Sequence, residues 1–250
     1  LFPPADGTGW GVNVNVSMLY SSGNLLVSTD DDIISKPKKL KPSFIQNLFD
    51  SAIAKNNPEE QLLLYFKSNQ DLFFALQDSD LNILQTYIDI FKTNTHLQEQ
   101  ILWINPGLYG DSGMGSARGI LSLTGSSRSF VMQNYDSLKF SRKIINCHIN
   151  TLVSKKTNLM AGQTAFYNKV PLVPFIPFGR NSDGLSGLLM RLIYPKSKSA
   201  YTNFVVDHQS DANLISERES LVTLNPSIAE LIMTLAIVNQ QESEDPFYYY

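Results

Sequence analysis

Residues 100–125, QILWINPGLYGDSGMGSARGILSLTG, constrain the fold more than any other segment of the chain. The apolar run 101–104 has the length and composition of a buried strand. Asn105-Pro106-Gly107 then predicts a tight turn, because proline fixes φ and glycine accepts positive φ. Six of the 14 glycines lie in this segment. Patterns before it indicate helices and patterns after it indicate mostly strands and loops, so it divides the chain into two halves.

The glycine-rich loop 110–119 is the main candidate for a ligand site. Closely spaced glycines after a strand present backbone N–H groups to a phosphate, and an arginine adds positive charge. The spacing differs from the dinucleotide fingerprint, and no lysine follows a glycine as in a Walker A loop. The predicted ligand-binding residues are Gly110, Ser112, Gly113, Gly115, Ser116 and Arg118.

Two families share short motifs with this loop. Residues 113–117 (GMGSA) resemble the glycine–serine phosphate loop of small-molecule kinases of the galactokinase and mevalonate kinase type. That resemblance implies phosphate binding, although it covers only five residues and none of the family's other motifs is found. Residues 110–113 (GDSG) resemble the nucleophile motif of trypsin-like proteases, but Met114 stands where that family has a second glycine.

The composition favours a protein that is covered by partners. Charged residues make up 17% of the 250 residues, below the usual quarter, and neutral polar residues take their place. Such a surface loses little solvation energy when another protein covers it. The net charge of −3 gives no electrostatic signal for nucleic acid. No apolar run reaches the length of a membrane span and no signal peptide is recognised, so we expect a soluble protein of undetermined location.

Metal, cofactor and thiol chemistry have weak support in the sequence. A single cysteine, Cys147, excludes internal disulfides, and its neighbour His148 points to the opposite side in regular structure. The three aspartates 30–32 lack the spacing of a calcium loop and are interpreted as a solvated turn. We therefore predict no metal site, no cofactor and no catalytic residues, and we lean against an enzyme.

The N-terminal half is predicted to be a short hairpin arm followed by helices. Alternation of valine with polar residues over 12–16, a turn at 20–24 and an apolar run at 25–28 indicate a β-hairpin. From Ser43 onward, caps and helical spacing predict four or five short helices up to residue 100, including one over 58–66. Their aromatic residues, Phe73 among them, are interpreted as core.

The C-terminal half is predicted to be rich in strands and to end in a buried helix. Strands are expected at 128–133 and 204–206, whereas 136–153 fits either a helix or strands. Pro171, Pro174 and Pro177 indicate a buried extended connector. The last helix, which begins near Ser227, is apolar on nearly all faces and must be buried or docked on a partner.

The chain ends in DPFYYY, and four consecutive aromatic residues are costly to expose to water. We therefore expect this tail and the last helix to contact a partner. The predicted partner-binding residues are Ile232, Leu235, Phe247, Tyr248, Tyr249 and Tyr250.

These patterns together predict one α+β domain over 1–250. Its expected parts are an arm and hairpin (1–42), a helical region (43–100), a strand-rich region (101–208) and a helix with an aromatic tail (209–250). The leading hypothesis for function is a non-catalytic structural or adaptor subunit of a multi-protein assembly, of the secretion-machinery, coat or scaffold type, as a homo- or hetero-oligomer. The alternative is a phosphate- or nucleotide-binding enzyme that uses loop 110–119.

Deleting residues 245–250 should break an association of the protein while leaving its fold intact. The aromatic tail would lose its contact, whereas the rest of the chain would keep its core. The native mass and the melting temperature of the truncated protein measure the two effects. An unchanged native mass would contradict the assignment of the tail as a partner-binding segment.

Overall fold

The computed structural model describes residues 10–50, 62–93, 100–111, 125–138, 141–155, 159, 162–176 and 182–209. Within these residues there are six helices and nine strands. The helices are α1 (Trp10–Tyr20), α2 (Pro42–Asp50), α3 (Asn69–Ala75), α4 (Ile83–Lys92), α5 (Gly125–Leu138) and α6 (Ser182–Ile193). The strands are β1 (Asn24–Thr29), β2 (Ile33–Leu40), β3 (Leu62–Tyr65), β4 (Leu76–Asp78), β5 (Ile101–Gly110), β6 (Ile144–Cys147), β7 (Leu152–Ser154), β8 (Gln163–Asn168) and β9 (Lys198–His208).

All nine described strands form one mixed, curled sheet around β5 and β9. These two long strands pair in parallel, from Ile101 opposite Lys198 to Gly110 opposite His208. Every residue of β5 except its two glycines is buried. A strand that is covered on both faces needs apolar side chains on both faces, which explains the continuous rather than alternating apolar pattern of β5.

Both central strands change their outer neighbours at the level of Pro106. Proline has no N–H to donate to a ladder, and the β5–β9 register shifts between Asn105 and Gly107. Before this point β5 pairs with β8, and after it with β6. Strand β9 likewise pairs first with β7 and then with β2. The sheet therefore forks on both sides of its central pair.

Helices cover both faces of the sheet. Adjacent residues of a strand point to opposite faces, so Val205 and Val206 identify the two sides. Val205 packs in a cluster with residues of α2 and α3, and Val206 packs in a cluster with residues of α4. Helices α1 and α6 cover the face to which Val205 points. Helix α5 covers the opposite face through contacts with β3 and β6. None of the described helices is long and apolar enough to cross a membrane.

The predicted division into a helical N-terminal half and a strand-rich C-terminal half is wrong. Helices are scattered along the described chain, and five of the nine strands precede residue 111. The predicted hairpin is also wrong, because residues 12–16 lie in α1 and β1 pairs with β8 rather than with a preceding strand. In α1, Val14 and Met18 are one helical turn apart and both lie in the core. The alternation of valine with polar residues over 12–16 does not show this helical spacing.

Three further local predictions are corrected by the sheet. The helix expected over 58–66 is replaced by strand β3, which pairs with β6, a distant strand. The strand expected at 128–133 lies within helix α5. The tight turn expected at 105–107 is an irregularity inside β5. In contrast, the helices at α2, α3 and α4 and the strands at 101–104 and 204–206 are confirmed. The predicted C-terminal helix lies outside the described residues.

Gly107 is required where β5 approaches β6 and β9. A Cβ atom at this position would lie 2.7 Å from the Asn146 carbonyl oxygen, 2.8 Å from Val205 Cγ1 and 2.9 Å from Cys147 Cβ. All three neighbours belong to buried parts of β6 and β9, which have little freedom to move. A side chain at position 107 would therefore push the central strands apart.

We expect Gly107→Ala to lower the free energy of unfolding by about 2 kcal/mol or more, because overpacking in a rigid sheet is costly. Urea unfolding would measure the change. Gly162→Ala is the control, since a Cβ there would meet only the flexible Ile33 side chain, at 3.4 Å. Equal losses for both variants would contradict the proposed close approach.

Candidate functional site

The glycine-rich loop begins at the carboxyl end of the central parallel pair. Gly110 has a φ of 101°, and a Cβ on it would lie 2.6 Å from the His208 carbonyl oxygen. Both the positive φ and the close approach require glycine. The next residue, Asp111, donates its backbone N–H to the same carbonyl at 2.9 Å. The start of the loop is thus fastened to the end of β9.

Of the ligand-binding residues predicted from sequence, the structure places Gly110. The others, Ser112, Gly113, Gly115, Ser116 and Arg118, lie outside the described residues. The same holds for all of the predicted partner-binding residues, Ile232, Leu235, Phe247, Tyr248, Tyr249 and Tyr250. The phosphate loop and the aromatic tail therefore stay predictions.

A histidine–aspartate pair lies beside Gly110. The turn between β1 and β2 carries Asp32, whose backbone carbonyl accepts the Gln209 N–H at 2.7 Å. This contact brings His208 Nε2 to 3.3 Å from Asp32 Oδ2. The other polar atoms of the pair, His208 Nδ1 and Asp32 Oδ1, are buried and have no hydrogen-bond partner in the described part of the chain. The turn that was expected to be solvated is therefore partly packed against β9.

Asp30, at the start of the same turn, has a perturbed carboxyl group. Burial, followed by the nearby Asp32, Asp183 and Asp31 carboxylates, raises its pKa to about 6, while His208 acts in the opposite direction. A carboxyl group with this pKa exchanges a proton close to neutral pH. Perturbed groups of this kind are more frequent at functional sites, although structural clusters produce them as well.

A second polar group lies on the opposite face of the sheet end. Asp207 accepts a hydrogen bond from Gln209 Nε2 at 2.8 Å. Burial, together with the negative charge of Asp207, raises the pKa of the Tyr109 hydroxyl, which is therefore protonated at neutral pH. The ring of Tyr109 meets Phe73 edge to face, with centroids 6.5 Å apart. This contact joins the end of the central strands to helix α3.

The charges around Gly110 define what this end of the sheet favours chemically. The described neighbours Asp30, Asp32, Asp111 and Asp207 are carboxylates, which repel a phosphate in a region of reduced dielectric. No group of three or more potential ligands among the described residues has the geometry to hold a metal ion. The described carboxylates of the site therefore disfavour an anion, and the raised pKa of Asp30 allows its carboxyl group to exchange a proton close to neutral pH.

Cys147 and His148 form no reactive pair in the described structure. Burial raises the pKa of the Cys147 thiol to about 12, so the thiol is protonated at neutral pH. His148 stacks on Tyr201, with ring centroids 5.2 Å apart. Cys147 is buried, as expected from the sequence.

Three helices leave adjacent large apolar side chains in solvent. The exposed pairs are Leu19–Tyr20 at the end of α1, Phe73–Phe74 in α3 and Leu192–Ile193 at the end of α6. Phe73 was expected in the core, but Leu72 and Ala75 occupy the buried side of α3 instead. The signal in the sequence is the run LFFAL, which has more apolar residues than one face of a short helix covers.

A groove of about 350 Å³ adjoins the exposed end of α6. Its walls are mostly apolar, and Ile193 lies both in the groove and in the exposed pair. The lining residues are Gln100, Leu102, Val170, Ile193, Tyr194, Pro195, Lys196 and Ser197.

Comparisons with protein-family models, curated proteins and solved structures give no match for this chain.

Replacing Asp30 with Asn should stabilise the protein above pH 6. The folded state favours the neutral carboxyl, so the contribution of Asp30 to stability is fully present below the ordinary pKa of 3.8 and is lost as the pH rises through about 6. Solvent screening reduces the effect of this partly exposed group, and we expect a gain of about 1 kcal/mol at pH 8.

Urea unfolding at pH 4 and pH 8 would measure this gain, and Asp31→Asn, at an exposed neighbour, is the control. An equal gain at both pH values would show that the ionisation of Asp30 is not the cause.

Proposed function

We propose that this protein is a non-catalytic structural or adaptor subunit of a multi-protein assembly, of the secretion-machinery, coat or scaffold type. The observation that carries the proposal is the exposed pair of aromatic residues in α3. Phe73 is 53% exposed and Phe74 is 70% exposed. Aromatic side chains are enriched at protein–protein interfaces and dominate their binding energy.

Helix α3 is short but firmly attached, which makes its outward face a stable surface. Ser68 caps the helix by accepting the Asp71 N–H at 3.1 Å. Leu72 and Ala75 anchor the helix in the core on one side. Because Leu72 and Ala75 occupy the side of the helix that faces the core, the side chains of Phe73 and Phe74 remain largely exposed.

Both exposed rings are also held in place. Phe73 packs edge to face on the buried Tyr109. The ammonium group of Lys41 lies 4.6 Å from the centroid of the Phe74 ring, and the Lys41 N–H donates to the Ala75 carbonyl at 2.9 Å. Ordered side chains lose less entropy on association, so this pair is prepared for a partner.

The free energy favours covering these rings. Burying a phenylalanine side chain stabilises a complex by about 1.5–3 kcal/mol, and neither Phe73 nor Phe74 obtains most of this within the described chain. The exposed pairs at the ends of α1 and α6 add further apolar surface. The low charge content of 17% makes the surrounding surface easy to desolvate.

The alternative function, phosphate or nucleotide binding by loop 110–119, has less support from the described residues. The loop starts among the carboxylates of Asp30, Asp32, Asp111 and Asp207, and an anion would be repelled there. Arg118, the cation predicted to offset this repulsion, lies outside the described residues.

The double variant Phe73→Ser/Phe74→Ser should lose the partners of the protein. We expect the wild type, purified gently from its source, to carry companion proteins in fixed stoichiometry, and the variant to lose at least one of them. Native mass and mass spectrometry would identify the companions. The melting temperature should change little, because both side chains are largely exposed.

Leu84→Ser is the matched control, since Leu84 is 58% exposed on α4, which covers the other face of the sheet. Companions that remain bound to the double variant, or a wild type that purifies alone, would overturn the proposal.

A further inference from the structure

Strand β1 forms one edge of the described sheet. It pairs along its whole length with β8, from Asn24 opposite Asn168 to Thr29 opposite Gln163, without a bulge. In the described part of the chain no strand lies on its other side. An edge of this kind presents backbone groups to any strand that approaches it.

The hydrogen-bond pattern shows which backbone groups point outward. The Asp30 N–H donates to the Gly162 carbonyl at 2.8 Å, one residue beyond the pair Thr29–Gln163. In an antiparallel ladder, pairs that exchange hydrogen bonds alternate with pairs that do not. Leu26 and Ser28 therefore bond towards β8, whereas the N–H and C=O groups of Leu25, Val27 and Thr29 face away from it.

This edge lacks the features that protect the edge strand β4 at the other end of the strand order. Strand β1 has the sequence NLLVST, with no charge, no proline and no irregularity in register. In contrast, the edge strand β4 has only three residues, and its Asp78 forms ion pairs with Lys36 and Lys38. Charges, proline and short length are the usual defences against pairing with another chain.

We propose that β1 pairs with β1 of a second copy of this chain, in antiparallel orientation, so that one sheet continues through a symmetric dimer. This inference rests on the proposed function as a subunit of an assembly and names one of its contacts. A two-fold axis perpendicular to the sheet leaves the same face of the sheet on the same side in both copies. An even-numbered residue of β1 therefore lies opposite an even-numbered residue of the second copy, and an odd-numbered residue opposite an odd-numbered one.

The side chains of β1 match their own copies best when the axis passes at Leu26. In that register Leu25 lies opposite Val27 of the second copy, and Leu26 lies opposite Leu26. Asn24 lies opposite Ser28, so apolar groups meet apolar groups and polar groups meet polar groups. Leu25 and Val27 are also the residues with outward backbone groups, and they exchange hydrogen bonds across the axis. A register centred on Val27 would instead place Leu26 against Ser28.

Two exposed apolar side chains come shortly before β1 in the chain. Leu19 is 79% exposed and Tyr20 is 93% exposed, and the turn 21–23 connects them directly to β1. Val14 and Met18 fix helix α1 on the sheet. The side chains of Leu19 and Tyr20, at the end of the same helix, therefore have a defined position. A stable interface buries about 1,200 Å² or more, which a strand pair reaches only with such neighbouring side chains.

The test uses a pair of substitutions that is sensitive to the register. In Asn24→Lys/Ser28→Lys, each lysine faces a lysine of the second copy, and like charges directly opposite each other weaken strand pairing. In Asn24→Asp/Ser28→Lys, the same two positions carry opposite charges across the interface. Within one chain, positions 24 and 28 are four residues apart along a strand and interact little.

Sedimentation velocity over a range of concentrations measures the dimer dissociation constant of the full chain. We expect a wild-type dimer, an increase of about tenfold or more for the dilysine variant, and an unchanged or lower constant for the aspartate–lysine variant. Equal melting temperatures would show that both variants fold. A monomeric wild type, or a dilysine variant that dimerises like the wild type, would overturn the inference. Equal weakening in both variants would overturn the Leu26 register.

The same experiment separates this inference from the proposed function. A monomeric wild type that still binds companion proteins through Phe73 and Phe74 would remove the β1 dimer and leave the subunit function in place. A wild type that dimerises through β1 but carries no companion proteins would keep the β1 dimer and remove the proposed contact through Phe73 and Phe74. The dimer dissociation constants of the wild type and the variants are measured on purified protein, so unidentified proteins do not affect them.

Discussion

The parallel pairing of β5 with β9 is the interaction on which the rest of the structure depends. Every other described strand except β1, β3 and β4 contacts one of these two strands directly, and those three attach through β8, β6 and β2. The pair is covered by helices on both faces, so its backbone hydrogen bonds form away from water. The proposed sites also derive from this pair, because it ends at Gly110 and His208 and because Tyr109 supports the exposed helix α3.

Sequence patterns predicted the elements whose signals are local. A short helix was expected after a cap at Ser68 or Asn69, and α3 begins after the cap Ser68. Strand β5 begins with an apolar run that is buried, as expected. They failed where a distant partner decides the structure. Residues 62–65 are apolar and fit a helix by spacing, but pairing with β6, about 80 residues later, makes them a strand. The alternation over 12–16 fits a strand, but these residues form a helix that Val14 anchors in the core.

The candidate sites were less predictable than the fold, for a physical reason. Positive φ and a close approach explain why position 110 is glycine, whereas the predicted role of Gly110 in ligand binding stays a prediction. The pairing of His208 with Asp32 could not be recognised in the sequence, since it joins residues far apart along the chain that the ladder between β2 and β9 brings together. The exposure of Phe73 was also hidden, because the run LFFAL shows that five adjacent residues are apolar but not which of them the core accepts.

The position of β9 in the chain has a consequence for biosynthesis. Strands β2 and β5 leave the ribosome long before residues 198–208, which pair with both of them. Until β9 is made, the centre of the sheet is missing, and β5 has one unpaired side along its whole length. Contacts with such a large sequence separation form slowly, because a long loop must close first. The nascent chain therefore exposes an apolar strand edge from the time β5 emerges until β9 is made, which makes shielding by chaperones valuable at that stage.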